Sequence, residues 1–218
     1  MLERWSDDKT NDLVVNLSAV SLTPTPPAAA PPLARPLQTS SSFLETQSST
    51  TKRGYIRVDG IPSTQTAYIH RRPDSTGAFS TTVQAQDRAL VEIVAGAPPY
   101  RISLLNVKGR AWLALKWKLV PSIEKGNKRR AGLVPLDESG EFHCKSTPPG
   151  WAGPHRSIIW SIALDGTIQA WWDEGVTSLL EVVYRQRDHF VMFASDPDAY
   201  VNKYPEWTRA RLAFEPAS

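Results

Sequence analysis

From Gly54 onward, hydrophobic and polar residues alternate with a period of two, and turn residues recur about every eight to twelve positions. Successive side chains of a β-strand point to opposite faces, so this alternation is typical of half-buried strands. The segment therefore predicts an all-β domain of short strands joined by tight turns. The predicted strands are Tyr55–Asp59, Gln65–Arg71, Phe79–Ala85, Ala89–Val94, Tyr100–Val107, Ala111–Val120, Arg156–Leu164, Thr167–Trp172, Ser178–Tyr184, Phe190–Ala194 and Thr208–Glu215.

Two local signals near the C-terminus sharpen this interpretation. Asp165-Gly166 separates two apolar runs, which predicts a two-residue hairpin with a type I′ turn. Asp196-Pro197 supplies an N-cap and a first helical residue, and Pro205 ends the run, which predicts one short helix over about residues 197–204. The fold class that follows is an antiparallel β-sandwich of about ten or eleven strands with this helix near its C-terminus. A β-trefoil is the alternative, although no threefold repeat is visible.

The N-terminal quarter of the chain has a different composition. Residues 23–53 are rich in Pro, Ala, Ser and Thr and show no sustained apolar period. Such a segment buries too little surface to offset the entropy lost on ordering, so disorder is expected. The predicted organisation is a disordered Pro/Ser/Thr-rich arm over residues 1–53, followed by an all-β domain over residues 54–218.

The net charge of +3 conceals a segregation of charge along the chain. Residues 101–130 hold nine bases against the single acid Glu124, whereas residues 131–218 hold seven bases and twelve acids. A basic block of this density produces a local field that attracts anionic partners. It is also compatible with a solvated face, or with pairing to the acidic C-terminal half.

The stretch 110–120, RAWLALKWKLV, has two distinct faces when it is read as a strand. The apolar face consists of Ala111, Leu113, Leu115, Trp117 and Leu119. The opposite face combines cations with an indole and runs into a basic loop: Arg110, Trp112, Lys116, Lys118, Lys125, Lys128, Arg129 and Arg130. Cations beside an aromatic ring suit an anionic chain, through charge and stacking. The main hypothesis is therefore a non-enzymatic binding module that contacts an anionic polymer or an acidic protein through residues 110–130. The alternative for this face is an edge strand kept soluble by its lysines.

The tryptophans raise a second hypothesis, a lectin-like module. Trp151 lies in a Pro/Gly-rich loop, and Trp171-Trp172 point to opposite faces of their strand. Sugar rings stack on exposed indoles, so Trp151 and Trp172 are the candidate carbohydrate-binding residues. A third hypothesis is a structural, self-associating protein in which the basic face of one copy meets the acidic half of another.

Catalytic and metal-binding chemistry finds little support in the sequence. The four histidines have no metal-ligand spacing, and no nucleophile, Walker or dinucleotide motif is present. Neither an enzyme activity nor a cofactor nor a metal is therefore expected. The chain has no apolar run long enough to span a membrane and no secretory signal pattern, so we expect a cytoplasmic or nuclear protein, with non-classical secretion as the alternative.

Overall fold

The computed structural model describes residues 51–94, 96–143 and 150–217. The predicted disordered arm lies outside these residues, except for positions 51–53. Those three positions begin the first strand, which starts four residues before its predicted start at Tyr55. Their side chains are exposed, and alternation between buried and half-buried positions begins only at Gly54.

Thirteen strands, one 3₁₀ helix and one α-helix form within the described residues. The strands are β1 Thr51–Asp59, β2 Ala67–Ile69, β3 Thr81–Thr82, β4 Leu90–Val94, β5 Tyr100–Leu104, β6 Trp112–Trp117, β7 Arg130–Leu136, β8 His155–Arg156, β9 Ile158–Ile162, β10 Thr167–Asp173, β11 Thr177–Arg185, β12 Phe190–Ala194 and β13 Trp207–Pro216. The 3₁₀ helix spans Ala85–Asp87, and the α-helix, α1, spans Pro197–Lys203. The all-β class with one short helix is confirmed.

Antiparallel pairing runs in a closed circuit. It passes from β1 through β4, β5, β6, β7, β12, β11, β10 and β13, and β13 pairs back with β1 over Gly54–Asp59 and Arg211–Pro216. Nine strands therefore close a barrel. The predicted sandwich is wrong because a sandwich has two separate sheets, whereas here the first and last strands join into one continuous sheet. The trefoil alternative does not match this single nine-stranded circuit either.

The chain segment of β8 and β9 lies where β5 and β6 diverge. One end of β5 pairs with β9 and the other with β6, while β8 pairs with the far end of β6. β9 then forms a hairpin with β10, whose other edge contacts both β13 and β11. This arrangement places the outer faces of β9 and β10 side by side on the surface.

The barrel interior is packed with aromatic and aliphatic side chains. Trp117 and Trp172 meet edge to face with ring centroids 5.7 Å apart, and both are fully buried. Trp160 lies in the same cluster, where its indole N–H donates to the carbonyl oxygen of Leu113 at 3.1 Å. Each such side chain contributes roughly 1.5–3 kcal/mol through burial of apolar area.

A second apolar cluster covers the outside of β6 and β7. It includes Ala114, Val134, Trp151, Tyr200 and Trp207, which are all buried. Trp151, in the loop that precedes β8, lies over Gly132 of β7, while α1, which carries Tyr200, packs on β11, β12 and β13 and extends the same cluster. Every residue of β7 except Arg130 is consequently buried.

The β9–β10 turn differs from the predicted type I′ turn. The N–H of Gly166 donates to the carbonyl of Ala163, and Gly166 alone of the three loop residues 164–166 has a positive φ, of 84°. The carboxylate of Asp165 accepts from both the N–H and the hydroxyl of Thr167. The loop is therefore a three-residue turn closed by a left-handed glycine.

The short helix agrees closely with the prediction. Asp196 caps it by accepting from the N–H of Ala199 at 2.9 Å, and Pro197 occupies its first turn. Both features were readable from the sequence, because a cap depends on adjacent residues only.

Candidate functional site

The two faces of β6 have different surroundings from those predicted. Leu113, Leu115 and Trp117 of the predicted apolar face are fully buried in the barrel, but Leu119 of that face is 57% exposed. The opposite face was expected to be open to solvent, but Ala114 is also fully buried and belongs to the outer cluster. Only part of the predicted cationic face is therefore accessible to a partner.

The polar side chains on the outer face of β6 contact this chain itself. Lys116 donates from Nζ to the carbonyl oxygen of Gly153 at 2.8 Å, and burial lowers the pKa of this ammonium. Trp112 is half-buried, and the guanidinium of Arg101 lies 4.6 Å from its ring centroid. Arg110 donates from Nη2 to the carbonyl oxygen of His143 at 2.9 Å. These contacts orient the side chains within the fold.

Arg130, at the start of β7, packs against α1. Its Nη1 donates to the hydroxyl of Tyr200 at 2.8 Å, and its guanidinium lies 5.9 Å from that ring's centroid. Its Nε atom is buried without a hydrogen-bond partner among the described residues. Arg130 therefore joins the sheet to the helix.

The remaining predicted cations lie on the connection between β6 and β7. We call residues 118–129 the basic loop. Its exposed cations are Lys118, Lys125, Lys128 and Arg129, and its single acid is Glu124. Within the part of the chain that the structure describes, Lys125, Lys128 and Arg129 form no ion pair. Two aliphatic side chains are exposed beside them, Leu119 at 57% and Val120 at 67%.

Hydrogen bonds brace the basic loop from within. The amide of Asn127 donates to the hydroxyl of Ser122 at 2.6 Å, and its side-chain oxygen accepts from the N–H of Arg129 at 2.7 Å. The guanidinium of Arg129 donates to the carbonyl of Val120 at 3.0 Å. The exposed charges thus lie on a loop whose shape is held by hydrogen bonds.

A second set of contacts ties the basic loop to the start of α1. Ser195 donates from its hydroxyl to the carbonyl of Ser122 at 3.0 Å. Asp196, which caps the helix, also accepts from the N–H of Gly126 at 2.8 Å. The N–H groups of Ala199 and Gly126 hold the pKa of this carboxyl below its ordinary value, and Lys125 adds to the effect. One carboxylate therefore stabilises both the helix and the loop.

The eight predicted basic-face residues thus divide into two sets. The loop brings Lys118, Lys125, Lys128 and Arg129 together at the surface. The other four contact the connection between β7 and β8, β5 or the helix: Arg110, Trp112, Lys116 and Arg130. The sequence did not separate these sets, because it does not show which side of β6 is covered.

The exposure expected of Trp151 and Trp172 is not found. Trp151 is only 5% exposed; its indole N–H donates to the carbonyl of Thr76 at 3.0 Å. Trp172 is fully buried, and its indole N–H donates to the carboxylate of Glu174 at 2.7 Å. Neither ring offers a face to a sugar, because each fills an apolar cluster. Of the adjacent residues Trp171 and Trp172, the exposed one is Trp171, at 37%. Ile168 and Ala170 of the same strand point inward. Alternation along the strand then predicts that Trp172 also points inward and that Trp171 points outward.

His143 and His189 each contact a side chain of this chain. His143 pairs with Asp137 at 2.5 Å, and His189 lies 2.9 Å from the hydroxyl of Tyr184. Within residues 51–94, 96–143 and 150–217, no group of three or more His, Cys, Asp or Glu side chains is placed to hold a metal ion. Cys144 lies outside the described residues.

Comparison of the chain with protein-family models, with curated proteins and with solved structures gives no significant match. Among the described residues, no helix has both the length and the apolar character needed to cross a membrane.

Proposed function

We propose that this chain is a non-enzymatic binding module that docks an acidic segment of a partner protein on the basic loop. The observation that carries the proposal is the exposure of Lys125, Lys128 and Arg129 to solvent. These three cations are exposed, form no ion pair within the described residues, and lie on a loop held by hydrogen bonds within itself and to Asp196. Exposed charges that form no internal ion pair remain available to an external one.

The bracing of the loop favours binding. A flexible loop loses conformational entropy when a partner orders it, and this loss subtracts from affinity. Here the hydrogen bonds of Asn127 and the bond from Gly126 to Asp196 already hold the backbone in place. A partner therefore meets a preorganised array of charges.

The neighbouring apolar residues distinguish the partner class. Leu119 and Val120 expose more than half of their surface beside the cations. An acidic protein segment supplies both carboxylates and apolar side chains for such a surface. A single-stranded nucleic acid gains affinity by stacking its bases on open aromatic rings, and Trp112 is half-buried with Arg101 against its ring. An acidic protein therefore fits the loop better than an anionic polymer does.

The test compares two triple charge reversals in the full chain. The first variant carries Lys125→Glu, Lys128→Glu and Arg129→Glu. The matched control carries Arg72→Glu, Lys108→Glu and Arg187→Glu, which reverse three exposed cations on other loops and change the net charge equally. The probes are a fluorescent Glu/Leu-rich peptide, a twenty-residue oligothymidylate and heparin.

We expect the wild-type chain and the control to bind the acidic peptide with an affinity that falls as salt is added, because added ions screen exposed charges over about 10 Å at 0.1 M. The basic-loop variant should lose at least tenfold in affinity. Equal loss in both variants would mean that net charge alone drives binding and would contradict the proposal. Tighter binding of the oligonucleotide or heparin would favour the anionic polymer instead. Salt-sensitive dimerisation without peptide binding would favour self-association.

Non-enzymatic action is part of this proposal because no catalytic motif is visible in the sequence. The cytoplasmic or nuclear location stays a prediction.

A further inference from the structure

A groove of about 680 Å³ runs along the outer surface of β9 and β10. We call it the Trp171 groove. It lies away from the basic loop in sequence, and its walls combine apolar and polar side chains: Pro99, Arg156, Ile158, Gln169, Trp171 and Asp173. Its volume falls within the range of about 300–1,000 Å³ that is typical of small-molecule sites.

Trp171 is held in one orientation at the centre of this groove. Its indole N–H donates to the hydroxyl of Ser161 at 2.9 Å, and that hydroxyl donates to Oε1 of Gln169 at 3.2 Å. The chain of hydrogen bonds satisfies the polar edge of the indole and leaves part of the ring exposed. Ile158, at 53% exposure, adds apolar surface beside it.

Polar groups with free hydrogen-bonding capacity surround the ring. Asp173 uses Oδ1 to accept from the N–H of Gly175 at 2.9 Å, and Oδ2 has no hydrogen bond within the described part of the chain. The Nε2 of Gln169 is likewise without a partner there. Arg156 is fixed by its bond to the carbonyl of Asp173 and by its ion pair with Glu174 at 3.6 Å. The groove thus offers acceptors and donors around a rigid aromatic face.

We propose that the Trp171 groove is a saccharide-binding site. A pyranose ring has an apolar C–H face that packs on an indole, and hydroxyl groups around its rim that need both donors and acceptors. Trp171 supplies the flat surface, Asp173 the acceptor, and Gln169 the donor. The opposite charges of Arg156 and Asp173 favour a neutral sugar over a strongly charged one. This site is independent of the proposed function, because it uses none of the basic-loop residues.

The test begins with the full chain on a glycan array, followed by titration calorimetry with the sugar that binds best. Three variants are compared with wild type: Trp171→Ala, Asp173→Asn and Trp171→Phe. The control is Leu164→Ala, which shortens a fully exposed apolar side chain at the β9–β10 turn outside the groove. The indole N–H resonances in a nitrogen–proton spectrum report directly on Trp171, and thermal melts check that each variant folds.

We expect binding of at least one neutral saccharide. Trp171→Ala and Asp173→Asn should each weaken it tenfold or more, or about 1.4 kcal/mol. Trp171→Phe should retain part of the affinity, Leu164→Ala should match wild type, and one indole resonance should shift on titration. Affinity of Trp171→Ala for the acidic peptide should be unchanged, which separates this test from that of the basic loop. The proposal is overturned if no saccharide binds, if neither groove variant weakens binding, or if the groove binds a proline-rich peptide in place of sugar.

Discussion

Replacing Gly132 with alanine tests the packing that buries Trp151. Gly132 lies in β7 directly beneath the indole, and a Cβ atom added there would lie 2.5 Å from Cη2 and 2.8 Å from Cζ2 of Trp151. Carbon atoms in favourable contact are about 3.5–4.0 Å apart, so the ring must move by about 1 Å. The hydrogen bond from the indole to Thr76 and the ring's near-complete burial oppose this movement.

The expected cost follows from two opposing terms. Overpacking in a dense core destabilises by about 1–3 kcal/mol, while alanine in a strand gains about 0.5–1 kcal/mol over glycine through backbone entropy. The free energy of unfolding of Gly132→Ala should therefore fall by up to about 2.5 kcal/mol. For a domain of this size, each kcal/mol lowers Tm by roughly 2–4 °C.

A double-mutant cycle isolates the contact. Trp151→Ala alone removes a large buried ring and should cost about 3–5 kcal/mol. In that background the methyl group added by Gly132→Ala meets an emptied space, so the substitution should be neutral or stabilising. Urea denaturation followed by far-UV circular dichroism measures all four proteins. The control is Gly96→Ala, whose Cβ meets nothing within 4 Å, and which should stay within about 0.5 kcal/mol of wild type.

Two outcomes would refute this reasoning. Equal destabilisation by Gly132→Ala with and without Trp151 would show that the indole does not limit the space above Gly132. Stabilisation of the otherwise wild-type chain by Gly132→Ala would show that the ring moves at little cost. In either case the indole of Trp151 would not be packed tightly against Gly132.

Two further predictions concern pH. The N–H groups of Ala199 and Gly126 depress the pKa of Asp196, so its stabilising effect is present above the unfolded pKa of about 3.9 and is lost as the pH falls through the folded value. Asp196→Asn should therefore destabilise at pH 7, and urea denaturation in steps of decreasing pH should show the difference shrinking; a constant difference would contradict the assignment. Burial lowers the pKa of Lys116 below 10.5, so the wild-type chain should gain stability relative to Lys116→Met as the pH rises through the folded value. Denaturation from neutral to alkaline pH measures this, and an opposite slope would mean that the bond to Gly153 outweighs desolvation.

Local chemistry explains the elements that the sequence predicted well. The observed strands other than β7 overlap predicted ones, because alternation of polar and apolar residues is visible within each segment. The N-cap Asp196 and the following Pro197 were readable for the same reason. β7 was missed because the packing of both its faces removes the alternation, and because Gly132 and Pro135 resemble loop residues.

Closure of the barrel depends on residues far apart in the chain. The register of β1 against β13 joins Gly54 to Pro216, and no local pattern specifies that partner. A strand with one apolar face satisfies a sandwich or a barrel equally well, since both bury that face in an interior. The pairing of β1 with β13 makes the fold a barrel and not a sandwich.

Local residue patterns were enough to predict the strand periodicity, the short helix and the concentration of cations between residues 101 and 130. The packing of the fold settles which of those cations face solvent, because the loop that carries Trp151 lies against β6 and covers one part of the basic stretch, whereas the basic loop stays open. It likewise decided that Trp172 belongs to the core and Trp171 to the surface. Alternation assigns adjacent residues to opposite faces, but the direction of the interior depends on the whole sheet.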